Sequence, residues 1–376
     1  MTPAAARSSA TSNQILIPVQ ALRALAALAV VALHVQMEAG RPPSIPPALP
    51  DMRVGNAGVD LFFVISGFVM VYSSEALFGR GDGPWRFFVR RLIRIVPLYW
   101  LVTTYYVLRH TFFPSAEPQK PIEFIVSSYL FIPYPLDGRI LTPMAANQPF
   151  LGLGWTLNYE MLFYLLFSIP VLLSRRAAVL VTSIVLITFV IAGIIAPGMP
   201  FPWRFWADPI VLEFVFGMSL GLVFREGWRL PRWLCWTLLV AGLLAFNLDP
   251  DGTGSDYRAA VWGVPAAMMV AGATLGDFKP TGRVWRWIAI VGDASYALYL
   301  THFLPIRAMV HLSWWTHFDM ASAPWLWMAA TLLVAIATSV VIFYAVERPI
   351  NFFLRRLSAV GPAKFADGTV RAPFSH

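Results

Sequence analysis

The sequence predicts an all-α, polytopic integral membrane protein of about ten transmembrane helices with cytoplasmic N- and C-termini. Three observations predict it. Of 376 residues, 58% are hydrophobic and 13% charged, whereas soluble domains carry about a quarter charged residues. Apolar runs able to cross a core about 30 Å thick recur along the whole chain instead of forming one anchor. Lys and Arg gather in alternate connecting segments, as they do on the cytoplasmic side of membrane proteins.

The first span, 18–38, contains "LRALAALAVVALH" from Leu22 to His34, and the second, 54–77, contains "GVDLFFVISGF". The third, 94–113, emerges from the basic run "WRFFVRRLIRIVPLYW", and the fourth, 150–173, holds "LGWTLNYEMLFY". Four further spans follow at 177–196, 208–225, 231–248 and 257–276. The ninth, 288–312, includes "SYALYLTHF", and the tenth is 323–346. A shorter apolar stretch, Pro121 to Ile132, is too short to span and is expected to lie in the interface or re-enter. It sits in the longest loop, whose "YPLDGRILTPMAANQPF" either rims a binding cleft or is a plain connector.

With the N-terminus inside, 19 of the 28 basic residues fall on the cytoplasmic face, 7 on the other face, and Arg23 and Arg307 within spans. The net charge of +8 thus reports topology and contact with anionic lipid, with no need for nucleic acid. Residues 1–14 read as a short cytoplasmic tail without a cleavable signal sequence, so the first span acts as its own insertion signal. Residues 15–357 form one membrane domain, and 358–376 are expected to be a disordered cytoplasmic tail. The single cysteine, Cys235, forbids an intrachain disulfide and a cysteine-built metal cluster, and reads as a small buried hydrophobe. The pair Gly217 and Gly221 reads as a close helix contact.

Ionisable groups are expensive in hydrocarbon unless they face a partner, water or a ligand. Arg23 lies near the cytoplasmic end of the first span, and His34 about 16 Å further along, close to three turns on, so both project from roughly one face. Snorkelling of Arg23 and simple packing of His34 are the plainer alternatives. Asp60 reaches a depth similar to His34, where it either orients that imidazole or is a buried carboxylate with a backbone donor. Glu160 in the fourth span, and Tyr296 and His302 in the ninth, complete a set that argues for one shared polar cavity. At the inner mouth Arg86, Arg90 and Arg94 share a helix face beside Arg91; this is either ordinary cytoplasmic charge or a surface suited to bidentate phosphate contact.

The chain resembles the acyltransferase 3 family of bacterial membrane proteins, and within it the exopolysaccharide O-acetyltransferase-like branch. The resemblance runs through "QALRALAALAVVALHV", "GNAGVDLFFVISGF", "FVRRLIRIVPLYW", "GWTLNYEMLFYLLF", "GDASYALYLTHF" and "ERPI". The family's Arg, ten residues, His signature falls on Arg23 and His34, and its Arg-x-x-Arg signature on Arg91 and Arg94. Ala24 stands where many relatives have Gly.

The resemblance implies an O-acyltransferase of the bacterial inner (cytoplasmic) membrane. It would move an acyl group, commonly acetyl, from cytoplasmic acyl-coenzyme A to a hydroxyl of an extracytoplasmic or lipid-linked polysaccharide. Acetyl-CoA or another acyl-CoA is then a donor substrate and not a permanently bound cofactor, and no metal is expected. Arg91 and Arg94 would hold donor phosphates, with Arg23 deeper. His34 would act as base or nucleophile, Asp60 and Glu160 would join it as catalytic groups, and Tyr296 and His302 would line the substrate site. The competing reading is a transporter or flippase of a sugar or other polar solute, although the two halves share no convincing similarity. No H-x-x-x-x-D arrangement occurs, which disfavours glycerolipid acyltransferases.

Overall fold

The computed structural model describes residues 3–39, 51–113, 120–135, 148–248, 257–278, 280–320 and 322–358, with side chains from residue 17 onward. Among them there is helix and no strand. The helices are α1 (Pro3–Ala39), α2 (Ala57–Ser73), α3 (Gly83–Phe112), α4 (Ile122–Tyr129), α5 (Trp155–Ser168), α6 (Arg175–Ile195), α7 (Trp203–Trp206) and α8 (Leu212–Arg225). There follow α9 (Arg232–Ala245), α10 (Val264–Thr274), α11 (Arg283–Asp293), α12 (Ser295–Thr301), α13 (Phe303–Trp315), α14 (Pro324–Ile342) and α15 (Arg348–Leu357).

Five segments are long and apolar enough to cross a bilayer: Ile17–Ala39, Arg53–Ser73, Gly152–Leu172, Arg175–Ile195 and Pro324–Leu357. Arg232–Leu248 and Ala259–Thr274 are shorter apolar helices. The other three expected spans fall on α3, α8 and the run α11 to α13. Large apolar side chains stay exposed along the outward faces, including Leu180, Ile184, Ile191 and Ile194 of α6 and Leu243 and Leu244 of α9. Water would penalise such ridges and lipid does not, so this is a membrane protein.

Several boundaries differ from the sequence expectation, two of them at segments that carry expected site residues. Helix α3 begins at Gly83, with Pro84 in its first turn, so the arginine-rich run belongs to the same helix as the apolar segment. Hydropathy marks where the lipid-compatible part begins, whereas a helix satisfies its backbone equally in water. Although i→i−4 bonds such as His302 N–H to Leu298 and Ile306 N–H to His302 carry the helix through, the ninth span is irregular at Ala294 and at His302. Pro305 supplies part of the reason, since it cannot donate to the Thr301 carbonyl one turn back.

Helix α1 runs through the middle, packed against α2, α10, α11, α12, α13 and α14. Helices α2 and α8 nearly touch through their backbones. A Cβ on Gly217 would sit 2.0 Å from the Val64 carbonyl oxygen, and one on Gly67 2.4 Å from that of Phe214. Gly217 and Gly221 therefore serve packing inside the chain. Helix α4 is eight residues long and is held to α3, with Trp100 Nε1 donating to the Tyr129 carbonyl at 3.0 Å. Most of the loop expected to rim a cleft, and residues 359–376 of the expected disordered tail, lie outside the described residues. Cys235 is buried.

At one end of the bundle α2, α6 and α8 share an ion-pair cluster. Arg175 reaches Glu75 at 2.7 Å and Glu226 at 3.2 Å, Arg225 lies 3.6 Å from Glu75, and Arg176 also binds Glu226. The hydrogen bonds from Arg176, then Arg175, pull the Glu226 carboxyl down to about 2. At the opposite end, Asp60 of α2 meets Arg258, which precedes a π-helical turn at Ala259–Gly263. A second π-helical turn, Phe343–Glu347, joins α14 to α15. Such turns rotate the residues that follow and are frequent at functional sites.

Candidate active site

His34 of α1 meets His302, at the junction of α12 and α13. His302 Nε2 lies 3.2 Å from His34 Nδ1, with ring centroids 4.9 Å apart. Each imidazole also rests on the carbonyl one turn back: His34 Nδ1 is 2.9 Å from the Val30 oxygen and His302 Nδ1 is 3.1 Å from that of Leu298. Phe303 closes one side, its ring 4.8 Å from His34 and 4.7 Å from His302. His302 is fully buried, while His34 keeps part of its surface. Nearby, the hydroxyl of Tyr299 pairs with Thr156 at 3.0 Å.

A second polar group lies toward the other end of α1. The Glu160 carboxylate of α5 accepts from Ser66 of α2 at 2.9 Å and from the Tyr164 hydroxyl one turn along. Arg91 donates to Ser73 at 2.6 Å, its guanidinium 5.5 Å from the Phe87 ring and 5.6 Å from the Tyr164 ring. Arg23 shares this buried region with Arg94, Asp293, Glu347 and Glu160. Asp293 in turn accepts from Gln20 at 2.5 Å. Among the described residues, neither Arg23 nor Arg94 donates a hydrogen bond or forms an ion pair within the protein. Arg86, expected on the same face as Arg94, turns instead to Asp82 at 2.6 Å. The Tyr296 hydroxyl donates to the Ile95 carbonyl of α3 at 2.7 Å.

The expected pairing of Asp60 with His34 is corrected. Both oxygens of Asp60 are taken by Arg258, Nε and Nη2 each donating at 2.8 Å, in a bidentate bridge with Asp60 fully buried. Trp262 lies 4.8 Å from the same guanidinium and Trp155 5.9 Å. A planar guanidinium satisfies a buried carboxylate far better than a neutral ring does, which is why Arg258 takes this partner. Of Tyr296 and His302, expected together at the substrate site, the tyrosine bonds to α3, and the histidine has both ring nitrogens within hydrogen-bond distance of protein atoms.

Residues 19–344 match the acyltransferase 3 family, described as an acyltransferase domain. The chain belongs to this family. It is 33% identical over 260 residues to the exopolysaccharide production protein ExoZ of Rhizobium meliloti (strain 1021), covering 68% of this chain and 78% of the relative. It is 30% identical over 380 residues to the acyltransferase MdmB of Streptomyces mycarofaciens, covering 91% and 93%. Similarity to nodulation protein 10 of Rhizobium leguminosarum bv. viciae is 26% over 346 residues, covering 82% and 87%. No solved structure matches the chain significantly.

The protein is thus an acyltransferase, with the His34 imidazole at one station of α1 and, at another, the Arg23 and Arg94 guanidinium groups, which have no protein partner among the described residues. The acyltransferase also contains groups that the sequence pattern does not single out. Arg258, at the start of the expected span 257–276, and Glu213, fully buried beside Asp60 and Arg258, are not among the expected site residues. Asp293, Glu347, Ser66 and Tyr164 are missing from that set as well. For Glu213 and Asp293 the signal is present, because each is an acid inside an expected span. For Ser66 and Tyr164 no sequence signal exists, since hydroxyls are common in membrane helices.

Proposed function

We propose that this acyltransferase is a ten-span protein of the bacterial inner membrane, with both termini cytoplasmic. It carries an acetyl group from cytoplasmic acetyl-coenzyme A to a hydroxyl of an extracytoplasmic or lipid-linked polysaccharide. One observation carries the reading. Arg23 and Arg94 are brought together from α1 and α3 without a protein partner among the described residues, and His34 lies about 16 Å along α1 from Arg23. A guanidinium pair left open in a buried site suits an anionic or carbonyl-bearing ligand. The donor's pantetheine arm is long enough to bridge from there to His34.

In this scheme Arg94, with Arg91 beside it, holds donor phosphates, and Arg23, deeper along α1, guides the pantetheine arm toward His34. His34 takes the proton from the acceptor hydroxyl as its oxygen attacks the thioester carbonyl. The carbon–sulfur bond breaks, and the departing thiolate recovers that proton from the imidazolium to leave as coenzyme A thiol. Glu160, anchored by Ser66 and Tyr164, sets the field around the donor end. Exopolysaccharide as acceptor is supported by the similarity to ExoZ.

The test uses membranes containing the protein, acetyl-coenzyme A labelled in its acetyl group, and the host polysaccharide. Wild type should label the polymer. His34→Ala removes little volume from a helix that stays apolar, so its abundance should hold while transfer falls by about 10²–10⁴-fold, the usual range for loss of a general base. A His34→Ala protein at normal level that still acetylates within a few-fold of wild type would refute His34 as base. No label in wild type would refute the donor or acceptor.

A further inference from the structure

The hydrogen positions of the two histidines follow from their neighbours. Carbonyl oxygens only accept. His302 Nδ1 lies 3.1 Å from the Leu298 oxygen, so it carries a hydrogen and leaves Nε2 bare. His34 Nδ1 lies 2.9 Å from the Val30 oxygen and 3.2 Å from that bare Nε2, so it faces two acceptors and must carry a hydrogen as well. The reverse assignment would set an unprotonated Nδ1 of His302 against a carbonyl. The network therefore runs one way: His34 Nδ1–H is shared between the Val30 carbonyl and His302 Nε2, and His302 Nδ1–H donates to the Leu298 carbonyl.

We infer that His302 is a positioning residue, which together with the Val30 carbonyl holds His34 in the tautomer whose basic lone pair sits on Nε2, and which supports the imidazolium formed during transfer. This rests on His34 acting as the base. A ring nitrogen can accept an N–H as a carboxylate does, and here it adds no formal charge to an interior surrounded by lipid. A carboxylate at this depth would need its own cation, as Asp60 needs Arg258. His302 is well placed to hold still. It is fully buried, its second nitrogen is anchored to α12, and Phe303 packs on both imidazoles. When His34 Nε2 gains the acceptor's proton, Nδ1–H remains directed at His302, so no ring has to turn over between the two proton transfers.

Three variants test the role in membranes assayed for acetyl transfer. His302→Leu removes the acceptor and keeps an apolar side chain. His302→Gln keeps an acceptor oxygen, and His302→Met fills the space with only a weakly accepting sulfur. The expected result is a kcat about 10²-fold lower in the Leu and Met variants, the scale of a catalytic group slightly misplaced, with an unchanged KM for acetyl-coenzyme A because the donor groups lie elsewhere. The Gln variant should recover at least about tenfold of that loss. If Leu fails to accumulate, the Met and Gln comparison decides. The inference is overturned if Met or Leu, at normal abundance, turns over within a few-fold of wild type, or if Gln is no better than Met. In either case an inactive His34→Ala would leave the base itself standing, whereas an active one would remove the reading on which this inference rests.

Discussion

Replacing Arg258 with Met should be among the most damaging single changes outside the proposed chemistry. Asp60 is fully buried and the Arg258 side chain 8% exposed, with two hydrogen bonds at 2.8 Å. Hydrogen bonds to charged groups contribute about 1.5–3 kcal/mol each, which gives about 3–6 kcal/mol for the pair. Stranding one member of a buried ion pair has a typical effect of about 3–5 kcal/mol. The expected destabilisation is therefore about 3–5 kcal/mol, against at most about 1 kcal/mol for an exposed pair. Pairing Arg258→Met with Asp60→Asn removes the stranded charge, so the double variant should be more stable than the sum of the single losses predicts, by about 2–3 kcal/mol. Unfolding in mixed micelles of a mild detergent and dodecyl sulfate, followed by tryptophan fluorescence, measures all four proteins of the cycle. A loss below about 1 kcal/mol for Arg258→Met, or simple additivity in the double variant, would refute the reasoning.

Two further expectations concern the donor end and the topology. Arg94→Lys keeps the charge but loses the planar fork, so the apparent KM for acetyl-coenzyme A should rise more than that for the polysaccharide acceptor, in steady-state transfer assays; equal changes, or none, would make Arg94 a topological residue. A reporter that fluoresces only in the cytoplasm should be bright when fused after Arg176 or Arg356 and dark when inserted between Asp251 and Tyr257, and light at the last position would break the ten-span arrangement.

Composition alone is enough to identify the solvent, because a chain that is 58% hydrophobic and 13% charged cannot cover itself with polar groups. Spacing along α1 is equally local, since Arg23 and His34 belong to one helix and the helical rise separates them whatever packs around them. The rule that ionisable groups in apolar segments face inward also marks Asp60, Glu160 and His302 as interior groups from their positions in the chain. It does not say which of them meet. His34 and His302 are 268 residues apart and Asp60 and Arg258 are 198 apart, so each pairing depends on which helices are neighbours and how each is rotated. Rotation is decided by contacts such as the near approach of Gly67 and Gly217, which hydropathy does not record. What the sequence by itself determined was the medium and the helical class, because these follow from transfer free energy and helical geometry. Only the tertiary structure decided the partners, because a buried polar group is satisfied by whatever donor or acceptor the packing of other helices brings within about 3 Å.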